Sequence, residues 1–421
     1  MRAAVRAVRE AADRTLRQRP VADVLDALAR VVDNWLQPDS PARQRAEQEL
    51  PAVTGFSPET VRHGLPRLLA PLRGDGVRRL LDGELGDARV LDAPRQGRRA
   101  IAPRLIVHVL SGNIAGLAAI PLVLSLAVKS AVVLKMAAGD PLFARLFAAS
   151  IGAVDPDLGQ CVCVVRWPRG TAVLEQVVFE AADLVVASGT DGAIGALRAR
   201  VPCRFLGYGH KVSFAMIGRE CLATDQSAQA LAHRLAYDVS LWDQQGCLSP
   251  QLCYVEAGAP TAPARFAELL AAAMEHWADE LPPRRLTFAE QTEILRFRQE
   301  AEWSIAGASR LLASDGTRWA ISLEDGRHFR PTCLNRCIRL HVVPRLEDVA
   351  DSLAPHRPHL EAAGVAAGPE RCASLAGRLA AVGVHRICPI GQMQVPPLTW
   401  QQGGRPRVGD WVDWVGIETI Q

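Results

Sequence analysis

The chain has 421 residues, 49% hydrophobic and 22% charged, a composition that buries a sizeable core and excludes a broadly disordered, fibrous or low-complexity protein. Its 48 Lys and Arg against 45 Asp and Glu leave a formal charge of +3, too balanced to point to nucleic acid. At roughly 150 residues per domain, the length implies two or three domains.

Residues 1–95 read as helices: VADVLDALARVVDNWL is amphipathic, and Ser57-Pro58 sets a cap residue and an N1 proline before ETVRHGLPRLL. Arginines are frequent here, which predicts a basic surface. The opening MRAAVRAVREAADR lacks the apolar core of a signal peptide, so the ten cysteines read as thiols of a reducing cytoplasm, not as a disulfide framework. Cys161 with Cys163, and Cys333 with Cys337, lack the C-x-x-C spacing of a structural zinc site, and no metal is expected.

From Pro103 the text alternates strand-like runs (PRLIVHVL, AVVLKMA, CVCVVRW, DLVVA, CRFLGY) with helical stretches. That alternation predicts βαβ units and a Rossmann-type parallel sheet of about five strands, within a domain at 96–235. Leu105 to Val128 carries no Lys, Arg, Asp or Glu. Ser111-Gly112-Asn113 and Pro121 punctuate it, so a strand, a turn and a helix are expected rather than a membrane span. Ligands bind at the carboxyl ends of such strands, which marks Ser111 to Asn113, Lys135 to Asp140, Ser188 to Gly192 and Gly207 to Lys211 as candidate loops. Gly189 to Gly195 sets backbone N–H groups at a helix start where a phosphate can sit; a tight turn without ligand fits the same residues equally.

After Ala223 a second α/β unit follows, with a domain expected at 236–388. The tail, 389–421, is broken by Pro389, Pro396-Pro397 and Gly403-Gly404, and reads as an edge ribbon or oligomerisation arm. Cys247 lies in the polar loop Asp243-Gln244-Gln245-Gly246-Cys247. That context suits a reactive thiolate, which attacks thioesters and carbonyls, or an inert loop cysteine.

Ser111-Gly112-Asn113, Val132 to Lys135 and Gln245-Gly246-Cys247 fall in that order at large spacings, and here the sequence resembles the aldehyde dehydrogenase superfamily. HVLSGNIAG, VVLKMAAGDPLFARLF, GYGHKVSFA, DVSLWDQQGCLSPQ and HRICPIGQMQVPPLTW resemble more closely the bacterial acyl-CoA reductases, the LuxC-like fatty acyl reductase family, over residues 100–421. The resemblance implies an α/β, aldehyde dehydrogenase-like fold: a Rossmann-type cofactor domain and an α/β catalytic domain, with N-terminal helices and a C-terminal strand arm. It implies Cys247 as nucleophile and the Asn113 amide as an oxyanion donor. Lys135, Ser188, Gly189 and Thr190 become the nicotinamide-cofactor site, and Gln245 and Gly246 the nucleophile loop. His210 is the acid–base candidate, although a histidine in a Gly-rich turn equally serves the backbone. Gln244 and Gln245 either position the loop or only satisfy its backbone groups.

Two departures bear on the reaction. Hydrolytic aldehyde dehydrogenases carry a water-activating glutamate where this chain has Gly207, which favours reduction of an activated acyl group over hydrolysis. Lys135-Met136-Ala137-Ala138 lacks the carboxylate that binds the adenosine ribose in NAD-preferring relatives, so NADPH is preferred, with NADH the alternative. TWQQGGRP departs from the family's histidine- and aspartate-bearing version, and no role carries over to that loop. The expected activity is reduction of a fatty acyl-CoA thioester to its aldehyde through an acyl-cysteine. Alternatives are an acyl phosphate or partner-delivered acyl group, or an acyl-accepting subunit served by an acyl-protein synthetase-like partner. A cytoplasmic homo-oligomer without a membrane span is expected.

Overall fold

A computed structural model of the chain describes residues 1–168, 170–303 and 310–418. Two compact units are present: one of residues 1–54, 61–210 and 397 onward, the other of 55–60 and 211–396.

The N-terminal helices are Arg2–Arg14, Val21–Leu36, Pro41–Thr54, Pro58–Leu69 and Gly76–Leu85. Val21, Val24, Leu28, Val31, Val32 and Trp35 recur at helical spacing and are buried. Trp35 ends that stripe against Phe143 and Phe147, with ring centroids 5.1 and 5.6 Å away. As expected, Ser57 caps its helix: its Oγ accepts the Thr60 N–H at 3.1 Å.

Six strands follow: β1 (Arg98–Ile101), β2 (Leu105–Val109), β3 (Ala131–Lys135), β4 (Val162–Val165), β5 (Leu184–Ser188) and β6 (Arg204–Tyr208). β2 to β6 form a five-stranded sheet in the order β4-β3-β2-β5-β6, every pair parallel. The uncharged run from Leu105 to Val128 resolves into β2, a turn and the helix Ala119–Ala127, and β3 follows it. That helix is about 13 Å long at 1.5 Å per residue, less than half a bilayer core. Among the described residues, no helix is long and apolar enough to cross a membrane.

His108 sits on β2 between β3 and β5, with its Nε2 2.9 Å from Ser125 Oγ. Burial pushes its pKa down to about 3 from an ordinary 6.5. Unfolding lets the ring take a proton below pH 6.5, so its contribution to stability is present above that pH and is lost as the pH falls toward 3. Urea unfolding at pH 7 and pH 4 should show wild type losing about 3 kcal/mol more than His108→Gln. Parallel losses in the two proteins would exclude this role.

The second unit holds β7 (Val212–Ile217), β8 (Pro250–Glu256), β9 (Arg310–Ala313), β10 (Ala320–Asp325), β11 (Cys337–Val343), β12 (Leu360–Ala366) and β13 (Arg386–Pro389). Their order is β13-β12-β7-β8-β11-β10-β9, parallel except for β9 against β10. The main run of this unit starts at Lys211, whereas the boundary was expected at 235/236. All six residues of β7 are buried, and β8 and β12 flank it, so 211–235 belong with this sheet.

The tail divides differently from the expected 389–421 arm. β13 is an edge strand of the second sheet, and 390–396 stay with that unit. From Pro397 the chain joins the first unit, where Glu84 accepts the N–H groups of Arg407, Val408 and Gly409 at 2.7–2.8 Å. β14 (Asp413–Gly416) then pairs antiparallel with β1. Residues 419–421 of the expected arm lie outside the described residues.

Candidate active site

In the first unit the chain runs from β2 to β3 on one side, while β5 pairs on the other. Such a switch point opens a crevice beyond the carboxyl ends of β2 and β5. Ser188, the last residue of β5, accepts the Ser111 N–H at its Oγ (3.0 Å), and the two hydroxyls lie 3.2 Å apart. Ser111 Oγ in turn donates to Asn113 Oδ1 at 2.8 Å. Asn113 and Ser188 therefore meet through Ser111, and the bond at Oδ1 fixes the amide plane that carries the Nδ2 donors.

Lys135 ends β3 and is half-buried. The loop after it presses on the loop after β2: a Cβ on Gly139 would stand 2.5 Å from the Gly112 carbonyl oxygen, so neither loop tolerates a side chain there. Asp140 is the first carboxylate after Lys135 in the sequence. It is buried and accepts the N–H groups of Gly116 (3.3 Å), Leu142 (3.3 Å) and Phe143 (2.9 Å). Burial still raises its pKa against those bonds. Position 138 is an exposed alanine. The loop thus presents no ribose-binding carboxylate next to Lys135.

Gly189 N–H donates to Tyr208 O at 3.1 Å, and Thr190 caps the helix Asp191–Arg198 by accepting the Ala193 N–H at 3.3 Å. Thr190, Asp191 and Gly192 are exposed at that helix start, a donor set that fits the pyrophosphate of a dinucleotide. His210 is also exposed; its backbone N–H donates to Asp191 Oδ1 at 2.9 Å. The structure therefore gathers Lys135, Ser188, Gly189 and Thr190 at one sheet edge, since all five strands run the same way.

The second unit carries the thiol. Ser249 N–H donates to Gly246 O at 3.0 Å, closing a turn with Cys247 and Leu248 at its corner immediately before β8. Cys247 is half-buried, and its carbonyl accepts from Ser213 Oγ of β7 at 2.6 Å. Ser213 Oγ itself accepts the Ala362 N–H of β12 at 3.1 Å, so two strands hold the turn. Gln394 Nε2 donates to Ser249 Oγ (2.8 Å) and to the Asp238 carbonyl (2.9 Å). Both glutamines act on the loop. Gln244 Nε2 donates to the Pro250 and Cys337 carbonyls at 2.7 and 2.9 Å, and Gln245 Nε2 to Asn335 Oδ1 at 3.0 Å. Burial pushes the thiols of Cys161 and Cys388 up to about 11 and raises that of Cys253, so these cysteines stay protonated.

A family model described as acyl-CoA reductase (LuxC) matches residues 16–404. The chain belongs to that family. As a LuxC-family protein it is an acyl-reducing oxidoreductase. It is 24% identical over 386 residues to the long-chain acyl-protein thioester reductase of Aliivibrio fischeri, covering 88% of the chain and 77% of that relative. To the reductase of the same name from Photorhabdus luminescens it is 24% identical over 342 residues, covering 78% and 68%. Among solved structures it is similar to aldehyde dehydrogenase 21 of Physcomitrella patens, with a TM-score of 0.71, 14% identity, and 98% and 88% of the two chains covered. A NAD-dependent benzaldehyde dehydrogenase from Corynebacterium glutamicum gives a TM-score of 0.70 at 14% identity over 99% and 88%. The fold of this LuxC-family protein is that of the aldehyde dehydrogenases.

Sequence reasoning missed Ser213, Asp191 and Gln394. Asp191 sits inside the candidate loop Ser188 to Gly192 and Gln394 inside HRICPIGQMQVPPLTW, so both were within reach of a closer reading of those segments. Ser213 lies inside the quoted GYGHKVSFA, but a serine in a buried strand reveals its role only through the carbonyl it meets.

Proposed function

We propose that this protein reduces the thioester of a fatty acyl-CoA to the aldehyde through a covalent acyl group on Cys247. Gly207 is the observation that carries this reading. Hydrolytic aldehyde dehydrogenases hold their water-activating carboxylate at this position, but here an added Cβ would lie 2.6 Å from Ile194 Cγ2 and 2.8 Å from Phe205 Cε1. With no base at that place, an acyl-cysteine persists until it is reduced.

In this reading the Cys247 thiolate attacks the thioester carbon, while the Asn113 amide and the Cys247 N–H stabilise the oxyanion. The oxyanion collapses with loss of the coenzyme A thiolate, leaving a new thioester on Cys247. NADPH, when bound, supplies the hydride. Lys135, Ser188, Gly189 and Thr190 would hold it, and the alanine at 138 leaves room for a 2′-phosphate. His210 is the acid–base candidate. The exposed Ile101, Trp414 and Val415 of the β1/β14 ribbon support a homo-oligomeric assembly.

A second reading is favoured by the curated relatives, which are named acyl-protein thioester reductases: the acyl group arrives on a protein, loaded by a synthetase-like partner. Purified protein mixed with a fatty acyl-CoA and NADPH is expected to release aldehyde, detected by mass spectrometry, and to do so more slowly with NADH. Aldehyde formed only from an acylated partner protein would replace the first reading with the second. No aldehyde from either donor would reject both.

A further inference from the structure

The nucleophile turn is reached through an unusual stretch of backbone. Trp242, Asp243 and Gln244 have φ of 57°, 49° and 63°, and Leu334, Asn335 and Arg336 have φ of 63°, 53° and 63°. These two triplets hold six of the eight non-glycine residues with positive φ among the described residues. A non-glycine residue in this region is strained, and persists only where its surroundings over-determine it.

Here the surroundings are each other. Arg336 Nε donates to Asp243 Oδ1 at 2.6 Å, and Arg336 Nη2 to the Leu281 carbonyl at 2.6 Å. The pair is sealed from water, with side chains 1% and 2% exposed. Asp243 Oδ2 accepts the Arg284 N–H at 3.1 Å, and Asn335 Oδ1 accepts from both Gln245 Nε2 (3.0 Å) and Arg284 Nη2 (3.2 Å). Gln244 closes the set by donating to the Cys337 carbonyl at 2.9 Å. The segment 334–337 thus bonds the three residues that stand two to four positions before Cys247. Among the described residues, Arg336 Nη1 has no partner in this dry site, so the arrangement is expensive where an apolar pair would serve packing better.

We infer that Asn335 and Arg336 are positioning residues: with Asp243 they form a latch that holds the turn of Cys247 in one conformation and so sets the reactivity of its thiol. Neither residue touches the acyl group in this account. They act through Asp243 and Gln245, by keeping the backbone N–H groups of the turn where they stabilise the thiolate and the oxyanion. The inference rests on Cys247 being the nucleophile.

The test compares wild type with Arg336→Lys, which keeps the charge but loses the planar fork, and Asn335→Ala, which leaves the Arg336–Asp243 ion pair intact and removes the links to Gln245 and Arg284. Iodoacetamide alkylation of the Cys247 peptide is followed by mass spectrometry across pH, beside the melting temperature and kcat and KM with an acyl-CoA. A latch predicts that the alkylation profile of both variants moves to higher pH by about one unit. It also predicts that kcat falls about tenfold or more while KM changes little. A folded Asn335→Ala protein with the wild-type alkylation profile and kcat overturns the latch, even if its melting temperature drops and whether or not Arg336→Lys folds. Alkylation needs no acyl substrate. A shifted profile in a protein that takes up no acyl group therefore keeps the latch and rejects the proposed substrate.

Discussion

Cys247→Ala will gain no mass when it is mixed with a fatty acyl-CoA in the absence of nicotinamide cofactor, whereas wild type will gain one acyl group. Turnover to aldehyde in the variant is expected to fall by at least about a thousandfold, because the covalent route disappears with the thiol. The fold should survive the change. Cys247 sits half-buried at the corner of a turn whose anchors, Ser213 to its carbonyl and Ser249 to Gly246, do not involve the sulfur. Intact-mass measurement separates the possibilities: an adduct on the variant would move the nucleophile to another cysteine. The buried thiols of Cys161, Cys253 and Cys388 are poor substitutes, since burial holds them protonated.

Asn113→Ala is expected to lower kcat by about two to three powers of ten while KM stays within a few-fold, the pattern of a donor that matters mainly once charge develops on the acyl oxygen. The hydrogen-bonded chain from Ser188 through Ser111 to Asn113 Oδ1 is the reason to expect a large effect, because it orients the amide before substrate arrives. Steady-state kinetics with an acyl-CoA and NADPH checks this, and acylation of Cys247 without cofactor checks it separately. An equal rise in KM with kcat unchanged would instead make Asn113 a binding residue.

Much of this protein follows from residues close together in the chain. Helical spacing of Val24, Leu28 and Val31, the capping Ser57-Pro58, and the alternation of β-branched runs with helices are written within a dozen residues each, and the structure has those elements where local text puts them. That the loops after β2, β3 and β5 share one edge of the sheet was legible, because parallel strands must all end on one side. The boundary between units was not legible. The residues of β7 look like an extension of the β6 text, and only pairing with β8 and β12 assigns them to the second sheet.

The sequence alone also determined which thiol stands out, because Cys247 is set in a polar loop while Cys161, Cys253 and Cys337 lie in apolar strands or at their edges. What surrounds it was decided by tertiary structure. Asp243 and Arg336 are 93 residues apart, and each by itself reads as an ordinary surface charge. Their burial, and the left-handed backbone on both sides, have no local cause. Isolated residues of these types avoid both conditions, so the energy that holds them must come from partners the fold brings together.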